Sequence, residues 1–292
     1  MRITGASVLL TGATGGIGGA LAAELAAQGA KLTVSGRRAE ALRPLAERHG
    51  ARAIVADLAR PDDVRRLAAE AAGTGVLITN AALPSSGDLL DCTPEQVERA
   101  FTVNLHAPAM LARLLAPAMV AAGRGHLAFI GSLSGKAASK SASLYSGTEF
   151  GLRGFALGLR QDLHGTGVGV SIVQPGFVRD AGMFADTGAK PPAGIRTVSP
   201  RQVVAGVTRA VERDVAEINV APLELRLLSA VAGQFPGVAE RLQRGGAAEK
   251  TLRQLVAAQR PPPRPHALVR RPATPVSPTY STSDAASPTA QP

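Results

Sequence analysis

Cysteine is all but missing. Cys92 is the single one among 292 residues, which excludes an intramolecular disulfide and any multi-cysteine metal centre. Tryptophan is absent, and there are 2 tyrosines and 7 phenylalanines, so a core must be assembled from Ala, Val, Leu and Ile. No uncharged apolar run of about 18 residues occurs, so no membrane-spanning helix is expected. The opening "MRITGASVLLTGATGG" ends its brief apolar run in glycines, without a cleavage region, unlike a secretory signal. A cytoplasmic protein is the expectation. Lysine is scarce as well: 27 of the 32 basic residues are arginine, within a net charge of +10. A basic balance admits nucleic-acid binding. Here, however, the arginines are scattered in pairs (Arg37/Arg38, Arg65/Arg66, Arg270/Arg271). No Cys/His finger or ribonucleoprotein aromatic motif accompanies them, so neither a nucleic-acid partner nor a metal site is expected.

What is present is alternation. Short β-rich runs at 7–11, 31–35, 52–56, 75–79, 126–131, 169–174 and 217–221 are separated by longer Ala/Leu/Arg-rich stretches. Near-continuous apolar strands between helices predict an α/β fold, a doubly wound parallel sheet in three layers. Thr93-Pro94-Glu95-Gln96 and Ser199-Pro200-Arg201-Gln202 each combine an N-cap hydroxyl, a proline at the first helical position and a glutamine that can close a capping box. One domain is expected over 1–258, with 222–258 as an amphipathic helical segment. Residues 259–292 carry nine prolines among Ser, Thr and Ala, the composition of a disordered tail.

The first strand runs into "TGATGGIGGALAAELAAQGA". Gly12, Gly16 and Gly18 lie between strand and helix, where residues without Cβ let helix N-terminal amides approach a pyrophosphate. The second strand ends in Ser35-Gly36-Arg37-Arg38. An NAD site places an acid there for the ribose diol, whereas an arginine suits a 2′-phosphate. With no acid and Arg37 present, NADP(H) is expected over NAD(H).

Taken together, the motifs resemble the short-chain dehydrogenase/reductase family, of the classical type, over about residues 4–220. The motifs are "TGATGGIG", Asp57 after the third strand, "TNAA" at 79–82, Asn104 in "VNLHAP", Ser132 in "FIGSLSG", Tyr145 thirteen residues on, and "QPGFV" at 174–178. The resemblance implies a Rossmann-type domain and hydride transfer between a nicotinamide and a carbonyl or alcohol carbon. It implies that Gly12, Thr14, Gly16, Ile17, Gly18 and Arg37 hold the cofactor, with Asp57 and Leu58 at the adenine. Asn80 and Ala81 would lie beside the adenosine end, and Pro175, Gly176 and Val178 at the nicotinamide. Asn104 would hold a water, Ser132 the substrate oxygen, and Tyr145 would be the acid/base. It also implies a small-molecule substrate and a homodimer or homotetramer. The apolar residues Phe177, Met183 and Phe184 hint at an apolar compound. Two departures are modest: "TNAA" replaces Asn-Asn-Ala-Gly, and Asp180 falls where a threonine often contacts the nicotinamide amide.

The third is severe. Glu149 stands where the family has its catalytic lysine, one helical turn after Tyr145. A phenol has a pKa of about 10. A unit charge about 6 Å away, at an effective dielectric near 20, is worth roughly 2.8 kcal/mol, or about 2 pKa units. Exchanging a cation for an anion is therefore expected to raise the Tyr145 pKa by about 4 units, unless Arg153 one turn further pairs with Glu149 and cancels its field, or burial keeps the carboxyl protonated. Lys136 and Lys140, in the preceding loop, are candidate substitutes. Two readings stay open: a reductase using Tyr145 as proton donor, and a dinucleotide-binding homologue without turnover that serves as sensor or partner subunit.

Overall fold

A computed structural model of the chain describes residues 1–237 apart from 193, together with 240 and 254. The tail expected over 259–292 lies outside the described residues, as does nearly all of 238–258. Everything below belongs to one unit, Met1–Arg260.

The strands are β1 (Ser7–Thr11), β2 (Lys31–Gly36), β3 (Arg52–Val55), β4 (Val76–Thr79), β5 (Gly125–Ile130), β6 (Val168–Pro175) and β7 (Glu217–Val220). They form one parallel sheet in the order β3-β2-β1-β4-β5-β6-β7. Each falls within one residue of the apolar run that predicts it. A strand buried on both faces needs apolar side chains at successive positions, so its ends are marked sharply.

The helices are α1 (Gly16–Ala27), α2 (Ala39–Arg48), α3 (Pro61–Glu70), α4 (Pro94–Phe101), α5 (Ala107–Ala121), α6 (Ser143–Asp162), α7 (Met183–Asp186), α8 (Pro200–Arg213) and α9 (Leu223–Gln234). Both expected capping boxes form, Thr93 with Gln96 at α4 and Ser199 with Gln202 at α8. One core joins the α3, α5 and α6 side of the sheet through Leu67, Leu111, Phe129 and Ile172. The other joins the α1 and α8 side through Leu21, Val34, Val173 and Val207. This is the three-layer, Rossmann-type doubly wound fold that the alternation predicts.

Helices α4 and α5 are continuous through a π-helical turn, Thr102–His106. The stretch Pro94–Ala121 is long and apolar enough to cross a membrane by length and composition, yet half of its most apolar window is buried inside the molecule. Its apolarity is that of a core helix, and its π turn points Asn104 inward. The chain reverses direction along the sheet between β1 and β4, so the loops at their carboxyl ends diverge and leave a crevice. β5 and β6 open onto the same end.

Candidate active site

The glycine turn has no room for side chains. Gly12 has φ of +66°, and a Cβ on it would stand 2.7 Å from the Ala81 Cα. A Cβ on Gly18 would meet the Gly12 carbonyl oxygen at 2.1 Å. The Asn80 side chain holds this turn: its Nδ2 donates to the carbonyls of Gly12 (3.0 Å) and Thr11 (3.3 Å). Its amide is thus spent on the protein rather than offered to a ligand. No side chain caps α1, and its first turn carries no acid, so its N-terminal amides and dipole face the crevice as an anion cradle. Thr14 lies against Gly36, where a Cβ would be 3.4 Å from its side chain. That contact brings the end of β2 beside the cradle. Arg37 and Arg38 follow, both exposed, with no ion pair shown to either.

At the adenosine side, Asp57 Oδ1 accepts from the Ala59 amide (3.1 Å), and Oδ2 pairs with Arg99 (3.3 Å). Leu58 is buried. At the far side, Gly176 donates to the Val220 carbonyl (3.0 Å), and a Cβ on it would be 2.8 Å from Leu225 of α9. Val178 is buried and bridges to Val198. The following loop, with Phe177 and Phe184 packed at a ring separation of 4.8 Å, returns onto the cradle. A Cβ on Gly16 would lie 2.5 Å from the Gly182 nitrogen, and Ile17 packs near Gly182. These residues fit a dinucleotide: bare backbone for the pyrophosphate, an arginine for a 2′-phosphate, and a glycine where a flat ring must approach.

Asn104, Ser132, Tyr145 and Glu149 gather at the carboxyl ends of β4, β5 and β6. Asn104, 2% exposed, accepts from the Leu83 amide (2.7 Å) and donates to the Leu83 carbonyl (3.1 Å) and to Thr148 Oγ1 (3.4 Å). Thr148 Oγ1 donates to the Tyr145 carbonyl (2.9 Å). The π turn is thereby stitched to α6. Ser132 Oγ accepts from the Ser134 amide (3.1 Å), which orients the hydroxyl. Burial is the largest cause holding the Tyr145 phenol up, and Glu149 adds to it, while a hydrogen bond with Ser132 works against them. Glu149 is 3% exposed. Burial pushes its carboxyl up to about 8, against the lowering effect of the Tyr145 hydroxyl and the Ser132 backbone. A carboxyl with that pKa is mostly protonated at pH 7.

A sequence profile of short chain dehydrogenases matches residues 6–192. The chain belongs to the short-chain dehydrogenase family. Among curated relatives, the ketoacyl reductase HetN of Nostoc is 33% identical over 262 residues, covering 83% of this chain and 89% of its own. A short-chain dehydrogenase from Sphingobium yanoikuyae, solved with NADPH, superposes with a TM-score of 0.69 at 29% identity, over 84% of this chain and 99% of that one. One from Burkholderia cenocepacia, solved with NADP, superposes with a TM-score of 0.71 at 25% identity, over 83% and 99%.

Within this short-chain dehydrogenase, the expected Glu149–Arg153 pair does not form. Arg153 Nε instead donates to Glu217 Oε2 of β7 (2.7 Å), and Lys136 Nζ bonds the other oxygen of the same carboxylate. Lys136 therefore replaces neither the missing lysine nor its charge beside Tyr145. A buried neutral carboxyl, rather than an anion, is what the phenol meets, so the rise expected from an opposed charge is replaced by one that burial dominates. Asp180 adopts φ of +68° and turns outward to pair with Arg179 (3.3 Å), away from the role of the family threonine.

The sequence reading passed over Thr148, Leu225 and Gln174. Thr148 sits one residue before Glu149 and carried no motif. Leu225 is brought to Gly176 only by the turn after β7. Gln174 reads as the first letter of "QPGFV", yet it is fully buried.

Proposed function

We propose that this short-chain dehydrogenase is an NADPH-dependent carbonyl reductase of the cytoplasm that acts on a small, apolar ketone such as a ketoacyl compound. One observation carries the reading: a phenol kept protonated by burial stands against an oriented serine hydroxyl at the end of β5 and β6. Reduction needs an acid at the new alkoxide, and a high-pKa phenol is fully populated as one. Oxidation needs the phenolate, which this site disfavours.

The cofactor, held by the cradle of Gly12, Thr14, Gly16, Ile17 and Gly18, by Arg37, by Asp57 and Leu58, and by Asn80, Ala81, Pro175, Gly176 and Val178, supplies hydride to a carbonyl carbon when bound. Ser132 Oγ donates to the substrate oxygen and fixes its position. Tyr145 gives that oxygen its proton, Glu149 adjoins Tyr145 as a neutral acid, and Asn104 holds the loop at Leu83 that walls the site. The NADPH and NADP complexes of the two solved relatives support the cofactor assignment, and HetN supports the ketoacyl class. The paired Phe177 and Phe184 favour an apolar substrate.

Two measurements check parts of this. Arg37→Ala should weaken NADPH binding by about tenfold or more while leaving NADH within twofold, since a 2′-phosphate contact is worth about 1.5–3 kcal/mol. Equal losses in fluorescence titrations would remove Arg37 from cofactor choice. Phe101 and Phe150, 40% and 42% exposed on α4 and α6, support a homodimer or homotetramer built on these helices. Phe150→Glu should then reduce the mass seen by light scattering to that of one chain.

The second reading, a dinucleotide-binding sensor or partner subunit, draws on Glu149 in the place of the lysine. Wild type that binds NADPH without turnover, beside a Glu149→Lys variant that turns over, would favour it.

A further inference from the structure

Glu149 Oε2 and both polar atoms of the Gln174 side chain are buried and have no hydrogen-bond partner. Unpaired buried polar atoms are costly and rare, so each calls for an occupant or a function. Here they are neighbours. Ile130 is in register with Val173, and the Gly131 amide donates to the Val173 carbonyl (2.9 Å), so the ladder continues and Gly131 lies beside Gln174. Ile172 packs into the core on the α6 side and Val173 into the opposite one. Gln174 therefore points to the α6 side. A Cβ on Gly131 would stand 3.1 Å from Glu149 Oε2. The absence of that Cβ leaves the carboxyl lying over the sheet next to the glutamine amide.

The polar surface continues outward. Asn219 of β7 is in register with Gln174, and Glu217 with Ile172, so both face the α6 side too. Lys136 Nζ reaches Asn219 Oδ1 (3.5 Å) and Glu217. Arg153 closes the other side of Glu217. The Lys136 and Arg153 side chains are 18% and 33% exposed, so the row that starts at the buried Glu149 ends at solvent.

We propose that Gln174 is a positioning residue that holds a bridging water against Glu149 Oε2, and that the row Glu149–Gln174–Asn219–Lys136 admits the solvent proton that recharges Tyr145. The inference rests on the reductase reading. The Tyr145 O–H bond breaks and its proton goes to the substrate oxygen, the electron pair staying on the phenolate. Glu149 gives its carboxyl proton to that phenolate. The carboxylate takes a proton from the bridging water, which regains one from solvent along the Lys136 end. The net change is one solvent proton consumed per carbonyl reduced, and Glu149 and Tyr145 return to their starting states. A water at this place has three polar side-chain atoms to satisfy it, which is what a stable buried water requires. Gln174 itself carries no proton; it keeps the donor and acceptor in line.

The test compares wild type with Gln174→Met, which keeps the length without the amide, and Gln174→Glu, which restores polar atoms, using Glu149→Gln to identify the Glu149 band. The infrared carbonyl stretch of protonated Glu149 should move to higher frequency in Gln174→Met and return toward wild type in Gln174→Glu. NADPH affinity, read by fluorescence, should stay within twofold. With a ketone substrate, Gln174→Met should lose about tenfold in kcat with KM unchanged, and show a larger solvent deuterium isotope effect. An unshifted Glu149 band, or an unaltered kcat and isotope effect, would overturn the inference while the reductase reading stood. Wild type that fails to reduce any ketone would strike that reading itself, and the proton route with it, whatever the band does.

Discussion

Tyr145→Phe should lower NADPH-driven reduction of a ketone by about 10²- to 10⁴-fold, the range set by a positioned general acid, while NADPH binding changes little. The substitution removes one oxygen from a site that otherwise stays closed, so a folding defect is not expected. The phenol is the group that the structure keeps protonated, through burial first and Glu149 second, with Ser132 opposing. Unchanged turnover in purified Tyr145→Phe would remove the tyrosine from the chemistry and the proposed mechanism with it. The profile of wild type against pH adds a signature. Glu149, with its carboxyl pushed up to about 8, carries its proton below that value and loses it above. Reduction should therefore decline as pH rises through about 8, well before an ordinary phenol titrates.

The second large effect concerns stability in acid, at the opposite end of the sheet. His126 on β5 is buried, its Nε2 is 2.9 Å from Ser171 Oγ, and that hydroxyl donates to the Ala210 carbonyl (3.3 Å). Ser171 thus accepts from a neutral imidazole. Burial lowers its pKa to about 4, joined by the N-terminal ammonium and Arg160; Asp214 opposes them from 4.0 Å. Arg160 holds the Asp214 carboxylate at 2.7 Å, which weakens that opposition. The unfolded chain binds the proton near pH 6.5, the folded chain near pH 4. The stability contributed by a neutral His126 is therefore complete above about 6.5 and is lost as pH falls toward 4. Two and a half pKa units correspond to about 3 kcal/mol. Chemical unfolding of wild type should show that loss between pH 7 and pH 4. In His126→Gln the same interval should be flatter by about that amount, whatever the variant costs at pH 7. Parallel curves for the two proteins would rule His126 out as the group responsible.

The sheet was legible because its strands are buried on both faces, so apolar runs and strand limits coincide. The two capping boxes were legible because a cap is local, confined to four consecutive residues. The glycine turn was legible for the same reason. The partner of Arg153 was not. Spacing of four on a helix names Glu149 as its neighbour, but Glu149 is on the buried side, and β7 presents Glu217 to Arg153 from 64 residues away. Asn80 illustrates the same limit. Its place after β4 was evident, whereas the turning of its amide onto Gly12 depends on β1 and β4 being adjacent. The state of Glu149 was beyond reach for a related reason: whether a carboxyl is an anion depends on what covers it, and Leu144, Leu152 and Gly131 are drawn around it only by folding.

The π turn at Thr102–His106 constrains how this chain can vary in length. A π turn holds one residue more than the α-helical path it replaces. Deleting a single residue there would restore ordinary winding and rotate everything downstream by about 100°. Leu111, Leu115 and Met119, now set into the core from α5, would swing toward solvent together, and Asn104 would leave Leu83. Segment 102–106 is thus a phase setting for the whole of α5: its side chains can be exchanged singly, but its residue count cannot drop by one without reindexing fifteen positions.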